Sequence, residues 1–195
     1  MKFEVSDVIK GPVDQVFAAF RDHIVDLVEF LPNIEQITIR ERREEGNRTY
    51  VNSHWRSKIN LPGPAEKLIP EKDRGWDDYA TWLNDEMAVE WHFDIPALPK
   101  AVKVGGKNRF VAEGENTRMT IQGESDVDLN KIRGIPNFIL RGIVPAIEKV
   151  ALAAIKPNML KVNRGVEQYL AAQKKDKSDA KEKNEAKPAR KSKSR

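Results

Sequence analysis

One long apolar stripe near the C-terminal end of the chain constrains the fold more than any other feature. Between Gly134 and Gln173, apolar residues recur at steps of three and four, which predicts a helix with one broad apolar face. The residues of this stripe are small in its middle and bulky at its ends. Such a helix needs a large apolar surface to lie against, so we expect the rest of the chain to supply one.

Two prolines interrupt this helical pattern. A proline inside a helix removes a backbone hydrogen bond and bends or breaks the helix. Pro145 is compatible with the first turn of the main helix, after a separate short helix over residues 135–142. The stripe continues on both sides of Pro157, which predicts a kink there. The kink has two interpretations, a hinge that opens a cavity and a static bend that follows a curved sheet.

The segments before the helix alternate with a period of two. A first strand over Lys2–Ile9 is followed by two short helices, and Pro32 ends the second of them. About six further strand segments follow in succession, and Thr117–Leu129 alternates most clearly, which is typical of an antiparallel sheet with one wet face. This order predicts an α+β fold in which a curved antiparallel sheet of about six to seven strands wraps around a long C-terminal helix.

Two glycines lie inside one of the predicted strands. A turn at Gly105–Gly106 would leave a very short strand before it, so the pattern favours a β-bulge within one long strand. The segment Glu113–Asn116 instead predicts a tight hairpin turn.

Charge separates the chain into two parts. The formal net charge is +4, but Lys174–Arg195 alone has ten basic and four acidic residues, so the rest of the chain is slightly acidic. We predict one domain over residues 1–173 and a disordered basic tail over residues 174–195, because the tail has no large apolar residue to bury. The tail is interpreted either as a solubilising extension or as a weak contact for anionic membranes or nucleic acid.

Several function classes find no support in the sequence. There is no cysteine, and the three histidines are dispersed, so we predict no disulfide, no thiolate chemistry and no metal site. Glycine-rich phosphate loops and nucleophile elbows are also missing, and no cofactor is expected. No signal-peptide pattern begins the chain and no stretch approaches the ~18 apolar residues of a membrane span, which predicts a cytoplasmic protein.

Several local sequences are informative together with the order of the elements. They are Phe3–Val5, Gly11–Phe17, Leu27–Pro32, the spacing of Trp76, Trp82 and Trp91, and the hairpin from Gly114 to Ile121. In these features the chain resembles the START-like, helix-grip superfamily, also called SRPBCC, over residues 1–173. The superfamily includes lipid-transfer domains, polyketide cyclases and aromatases, and coenzyme-Q-binding proteins. The resemblance implies an apolar cavity between the sheet and the long helix, with no universal catalytic motif.

The apolar residues expected on the inner faces are the candidate ligand-binding residues. The alternative is that they simply fill a core, but the small residues Gly123, Ser125, Gly142, Ala146 and Ala151 favour a void. The candidates are Trp55, Trp91, Phe93, Phe110, Met119, Ile121, Phe138, Ile143, Ile147 and Met159.

Polar and aromatic residues elsewhere allow more than one interpretation. His54 and Arg56 share one face of a strand, where they would fix a ligand head group, form an acid/base pair, or lie on a solvated outer face. Adjacent acids such as Asp77 and Asp78 are interpreted as surface residues. A run from Trp76 to Trp82 is either an aromatic mouth or a structural cluster.

The leading functional hypothesis is a non-catalytic carrier or sensor of a hydrophobic small molecule, such as a lipid, an isoprenoid or an aromatic polyketide. The alternative is an enzyme of the polyketide cyclase/aromatase type that uses the same cavity, with His54 and Arg56 as its only visible acid/base candidates. A third hypothesis is an interaction module that acts through the tail.

Overall fold

The computed structural model describes residues 1–58, 74–96, 100–128, 131 and 159–176. Within these ranges the chain forms seven strands, one α-helix near its N-terminal end, two 3-10 helices and a second α-helical segment. The elements are β1 (Lys2–Ile9), α1 (Val13–Asp22), a first 3-10 helix (Asp26–Phe30), β2 (Ile34–Glu45), β3 (Arg48–Ser57), β4 (Gly75–Leu83), a second 3-10 helix (Asn84–Glu86), β5 (Ala88–Asp94), β6 (Val102–Glu113) and β7 (Asn116–Val127), followed by α2, the helical residues 159–176.

The seven strands form one curved antiparallel sheet. Their order is β1-β7-β6-β5-β4-β3-β2, so consecutive strands from β2 to β7 are neighbours and β1 pairs with β7 at the other edge. Tight two-residue connections join β2 to β3 and β6 to β7, the second of them at the hairpin turn predicted over Glu113–Asn116. The predicted α+β architecture is confirmed, including the two short helices after the first strand, of which the second is a 3-10 helix.

The predicted bulge at Gly105–Gly106 is wrong. Gly105 and Gly106 pair in unbroken register with β5 on one side and β7 on the other. A Cβ atom at Gly106 would lie 2.9 Å from the Cα atom of Gly123 and closer still to the carbonyl oxygen of Gln122. The glycines are therefore explained by the close approach of the backbones, and the irregularities in register lie in β2 instead.

Gly106→Ala is expected to lower the free energy of unfolding by about 3 kcal/mol, because the new methyl group would overlap backbone atoms that cannot move aside. Its cross-strand partner offers a matched control, since the three atoms nearest to a Cβ at Gly123 all belong to the ring of Phe3, at the far end of its side chain. We expect Gly123→Ala to cost about 1 kcal/mol. Urea denaturation of both variants measures the difference, and equal losses would contradict this explanation.

A core forms where α1 and α2 cover one end of the sheet. Phe17 of α1 packs edge-on against Trp82 and Phe110, with ring centroids 5.1 and 5.5 Å away. In α2, Val166 and Tyr169 are buried in the same core. This result confirms the apolar stripe for the part of the helix that the structure describes.

Polar contacts and close packing hold α2 across the first strand and the first 3-10 helix. The side-chain amide of Asn163 donates to Asp7 Oδ2 at 3.0 Å, and the backbone N–H of Lys10 donates to Glu167 Oε1 at 2.8 Å. Gly165 lies against Phe30 and Leu31, so a larger residue at this position would push the helix away.

The helix runs through residue 176, three residues beyond the predicted boundary at residue 173. The kink at Pro157, the break before Pro145 and the central part of the stripe lie outside the described residues, as do residues 177–195. The disordered tail and its contact with anionic membranes or nucleic acid stay predictions from the sequence.

Candidate functional site

A cavity of about 490 Å³ lies between the inner face of the sheet and α2. Its surface is mostly apolar, and strands β3 to β7 supply most of its described wall. The segment after the first 3-10 helix and the first turns of the described part of α2 close two further sides. Representative lining residues are Leu31, Ile34, Trp55, Trp76, Trp91 and Met159.

Aromatic rings form a continuous wall along one side of this cavity. Because side chains alternate along a strand, Trp55, Trp76, Trp91 and Phe93 all point inward from three neighbouring strands. Trp55 stacks on Trp76 with ring centroids 5.5 Å apart, and Trp91 stacks on Phe93 at 4.7 Å. Trp76 and Phe93 join the two pairs at 5.9 Å. This wall, which we call the aromatic wall, presents apolar ring atoms to any occupant.

Some polar groups of the wall are paired within the protein. Trp55 Nε1 donates to Ser53 Oγ at 3.0 Å, and Trp91 Nε1 donates to Asn108 Oδ1 at 2.8 Å. These bonds fix the orientation of both indole rings, so part of the site is organised without a ligand.

Three buried polar atoms of cavity-lining residues have no hydrogen-bond partner among the described residues. They are Trp76 Nε1, Asp78 Oδ1 and Asn163 Oδ1. An unpaired buried polar atom costs about 1–3 kcal/mol, so native proteins rarely leave one without a use. A ligand with complementary groups would satisfy these atoms.

Asp78 is the chemically distinctive residue of the cavity. Burial raises the pKa of its carboxyl from 3.8 to about 7, and no neighbouring charge opposes the shift. The carboxyl therefore exchanges its proton near neutral pH, whereas an ordinary aspartate is ionised there. Functional groups with shifted pKa values are typical of binding and catalytic sites.

The interpretation of Asp77 and Asp78 as surface acids is wrong. The two are adjacent in a strand and so face opposite sides of the sheet. Asp78 lines the cavity, while Asp77, only 9% exposed, lies on the outer face. There it forms an ion pair with Arg40 at 2.8 Å and a hydrogen bond with His54 at 2.6 Å.

His54 and Arg56 point away from the cavity. His54 Nδ1 bonds to Asp77 Oδ1, and Arg56 bonds to Glu35 Oε1 at 2.8 Å on the same outer face. Neither residue lines the cavity. The geometry therefore does not place the predicted acid/base pair beside a ligand in this cavity.

Six of the ten predicted ligand-binding residues lie together on the cavity wall. A seventh, Phe110, instead packs with Phe17 and Phe20 in the adjoining core. Three candidates, Phe138, Ile143 and Ile147, lie outside the described residues. The six on the cavity wall are Trp55, Trp91, Phe93, Met119, Ile121 and Met159.

Asp78, Asn108 and Asn163 are among the polar cavity residues that the sequence interpretation missed. The signal for Asp78 was present, since it shares a strand face with Trp76, Ala80 and Trp82. The same alternation divides the aromatic run of β4. Trp76 and Trp82 both line the cavity, and Trp82 also packs against Phe17 in the core. Tyr79 lies on the outer face, where it stacks on His92 with ring centroids 4.7 Å apart.

Two further properties concern only the part of the chain that the structure describes. It contains no group of three or more side chains that could hold a metal ion. No helix in these ranges is long and apolar enough to cross a membrane.

Comparison with known proteins finds similarity in structure alone. No family model matches the sequence, and no curated protein matches it. Among solved structures, TTHA0849 from Thermus thermophilus has a TM-score of 0.61 at 16% identity, over 89% of this chain and 99% of that one.

Two other similar structures carry descriptive names. The Zhui aromatase/cyclase from Streptomyces sp. R1128 has a TM-score of 0.56 at 13% identity, over 87% of this chain and 92% of that one. A START superfamily protein from Mycobacterium smegmatis has a TM-score of 0.52 at 12% identity, over 86% of this chain and 98% of that one. The neighbours belong to the START/SRPBCC superfamily, and this chain shares their helix-grip fold.

Proposed function

We propose that this protein binds a hydrophobic small molecule, such as a lipid, an isoprenoid or an aromatic polyketide, between its curved sheet and its C-terminal helix. The observation that carries the proposal is the cavity itself, about 490 Å³ of mostly apolar space beside the aromatic wall. This volume lies within the range of small-molecule sites. A cytoplasmic location and the absence of a cofactor stay predictions from the sequence.

Burial of apolar surface supplies the binding free energy in this proposal. Each square ångström of apolar surface removed from water contributes about 25 cal/mol, and the flat rings of the aromatic wall offer a large contact area. Unpaired polar atoms on Trp76, Asp78 and Asn163 would then set the orientation of the ligand. The two indole rings already fixed by hydrogen bonds reduce the ordering cost of binding.

Co-purification tests this proposal most directly. Native mass spectrometry of the full chain, followed by organic extraction, should reveal a bound apolar compound. If the protein purifies without a ligand, a fluorescence titration should show that its cavity binds the neutral probe N-phenyl-1-naphthylamine. A protein that carries no ligand and binds no apolar probe would contradict the proposal.

Filling the cavity should abolish probe binding. Ala80 lines the cavity at the centre of β4, so Ala80→Leu places a larger side chain into the void. We expect the affinity for N-phenyl-1-naphthylamine to fall at least tenfold, with a loss of stability below about 1.5 kcal/mol because the space is already present. Thr81→Leu, on the outer face of the same strand, is the matched control and should leave probe binding unchanged; equal effects of the two would argue against this cavity.

One observation supports the alternative, an enzyme of the polyketide cyclase/aromatase type. A carboxyl with a pKa of about 7 inside an apolar cavity is suited to general acid/base catalysis near neutral pH. In that case Asp78, rather than His54, would transfer the proton. Turnover of an aromatic polyketide precursor that Asp78→Asn abolishes, while the precursor still binds, would favour the enzyme over the carrier.

A further inference from the structure

Given the proposed function, we propose that the cavity selects one class of hydrophobic ligand: an organic ammonium, in which an apolar or aromatic body carries a protonated amine that pairs with Asp78. Three observations support the inference. Aromatic side chains surround the Asp78 carboxyl, no described basic residue pairs with it, and most of the nearby unpaired atoms and ring faces carry partial negative charge.

The strand register surrounds Asp78 with aromatic side chains. Phe93 lies directly opposite on β5, and Trp76 precedes Asp78 by two residues on the same face of β4. Trp55 and Trp91 are diagonal neighbours on β3 and β5. Opposite and diagonal neighbours on one sheet face lie about 5 to 8 Å apart, which is within reach of aromatic rings. One carboxyl group therefore lies next to the four rings of the aromatic wall.

The protein supplies no cation to this carboxyl from its described residues. Two basic side chains reach the cavity, those of Arg21 and Lys161. Arg21 is held by Asp22 and by Asn84 Oδ1 at 2.8 Å, and Lys161 is exposed to solvent. Neither forms an ion pair with Asp78, whose shifted pKa has burial as its only cause. A buried carboxylate becomes neutral either by taking up a proton or by pairing with a cation. None of the described residues supplies that cation, and in this proposal the ligand provides it.

Most of the unpaired polar atoms of the cavity, together with its ring faces, also attract positive charge. Asn163 Oδ1 is an unpaired acceptor, and the faces of the four aromatic rings carry the negative part of their quadrupoles. Trp76 Nε1 is the exception, an unpaired donor. A carboxylate combined with ring faces is a chemical environment suited to an ammonium group, which gains from both the ion pair and cation–π contacts. A neutral ligand would gain from neither.

Matched naphthalene probes test this selectivity on the full chain. 1-Naphthylmethylamine, 1-naphthalenemethanol, 1-ethylnaphthalene and 1-naphthaleneacetate share one aromatic body and differ in their head groups. Each is titrated against bound N-phenyl-1-naphthylamine at pH 7.5. We expect the amine to bind about 30-fold more tightly than 1-ethylnaphthalene, with the alcohol close to the hydrocarbon and the acetate weakest.

Removing the charge of Asp78 tests whether its carboxyl causes the preference for the amine. In Asp78→Asn the affinity ratio of amine to hydrocarbon should fall from about 30 to about one. Asp126→Asn removes an exposed carboxylate on the outer face of β7 and should leave the ratio unchanged.

The outcomes separate this inference from the function on which it rests. If the hydrocarbon binds but the amine binds no more tightly, or if the alcohol matches the amine, the ammonium inference is overturned and hydrophobic binding stands. A ratio that persists in Asp78→Asn overturns the assignment to Asp78. If none of the four probes binds, both the inference and the proposed function fail.

Discussion

Phe110→Ala is expected to lower the free energy of unfolding by about 4 kcal/mol. Phe110 is 3% exposed, and its ring lies 5.5 Å from that of Phe17, 5.6 Å from that of Phe20 and 6.3 Å from that of Trp82. Truncation removes these contacts and leaves a void between α1 and the sheet, where the rigid strands prevent collapse. Urea denaturation followed by tryptophan fluorescence measures the loss.

The next residue in the same strand is the control for this prediction. Val111 faces the other side of β6 and is 58% exposed. Val111→Ala should change the free energy of unfolding by about 0.5 kcal/mol or less. Comparable losses for the two variants would mean that the inner face of β6 is not the core.

Asp78→Asn is expected to stabilise the protein by up to about 4 kcal/mol at pH 8.5. Burial raises the pKa of the folded-state carboxyl from 3.8 to about 7. Below pH 3.8 the carboxyl is protonated in both the folded and the unfolded protein and costs nothing. Between pH 3.8 and about 7 only the unfolded chain releases the proton, so wild-type stability falls as pH rises, and above pH 7 the loss is complete.

The advantage of the variant should therefore grow with pH. We expect about 2 kcal/mol at pH 5 and about twice that at pH 8.5, because the amide is neutral throughout. Asp126→Asn, which removes an exposed carboxylate, should show no such trend. An advantage for Asp78→Asn that does not change between these two pH values would show that its carboxyl is solvated in the folded protein.

The side chains that face inward from each strand were predictable, because alternation along a strand leaves only two possible assignments. Trp55, Trp91, Met119 and Ile121 lie on the cavity wall, as the alternation indicated. Once one apolar residue of a strand is assigned to the inside, every second residue follows. The inner surface of the sheet was therefore readable from the sequence at each strand that alternates cleanly.

Contacts between residues of neighbouring strands could not be predicted from the alternation. The explanation of Gly106 depends on Gly123 and Gln122, which the register brings alongside, so the sequence pattern alone suggested a bulge. Likewise, the outer-face partner of His54 is Asp77 of the neighbouring strand. Asp78 was misassigned for a local reason, since two adjacent acids were treated as one pair although strand geometry puts them on opposite faces.

The pairing of the first strand with the last also determines how this chain folds during synthesis. Strands β2 to β7 can pair one after another as each emerges, but among the described strands β1 pairs with β7 alone. The hydroxyl of Ser6 bonds to the carbonyl oxygen of Met119, 113 residues further along the chain. At a translation rate of about 5–20 residues per second, β1 waits roughly 6 to 23 s with its backbone unpaired. During that interval the alternating Phe3, Val5 and Ile9 form an open strand edge. We therefore expect the nascent chain to carry an unpaired, aggregation-prone segment until β7 leaves the ribosome.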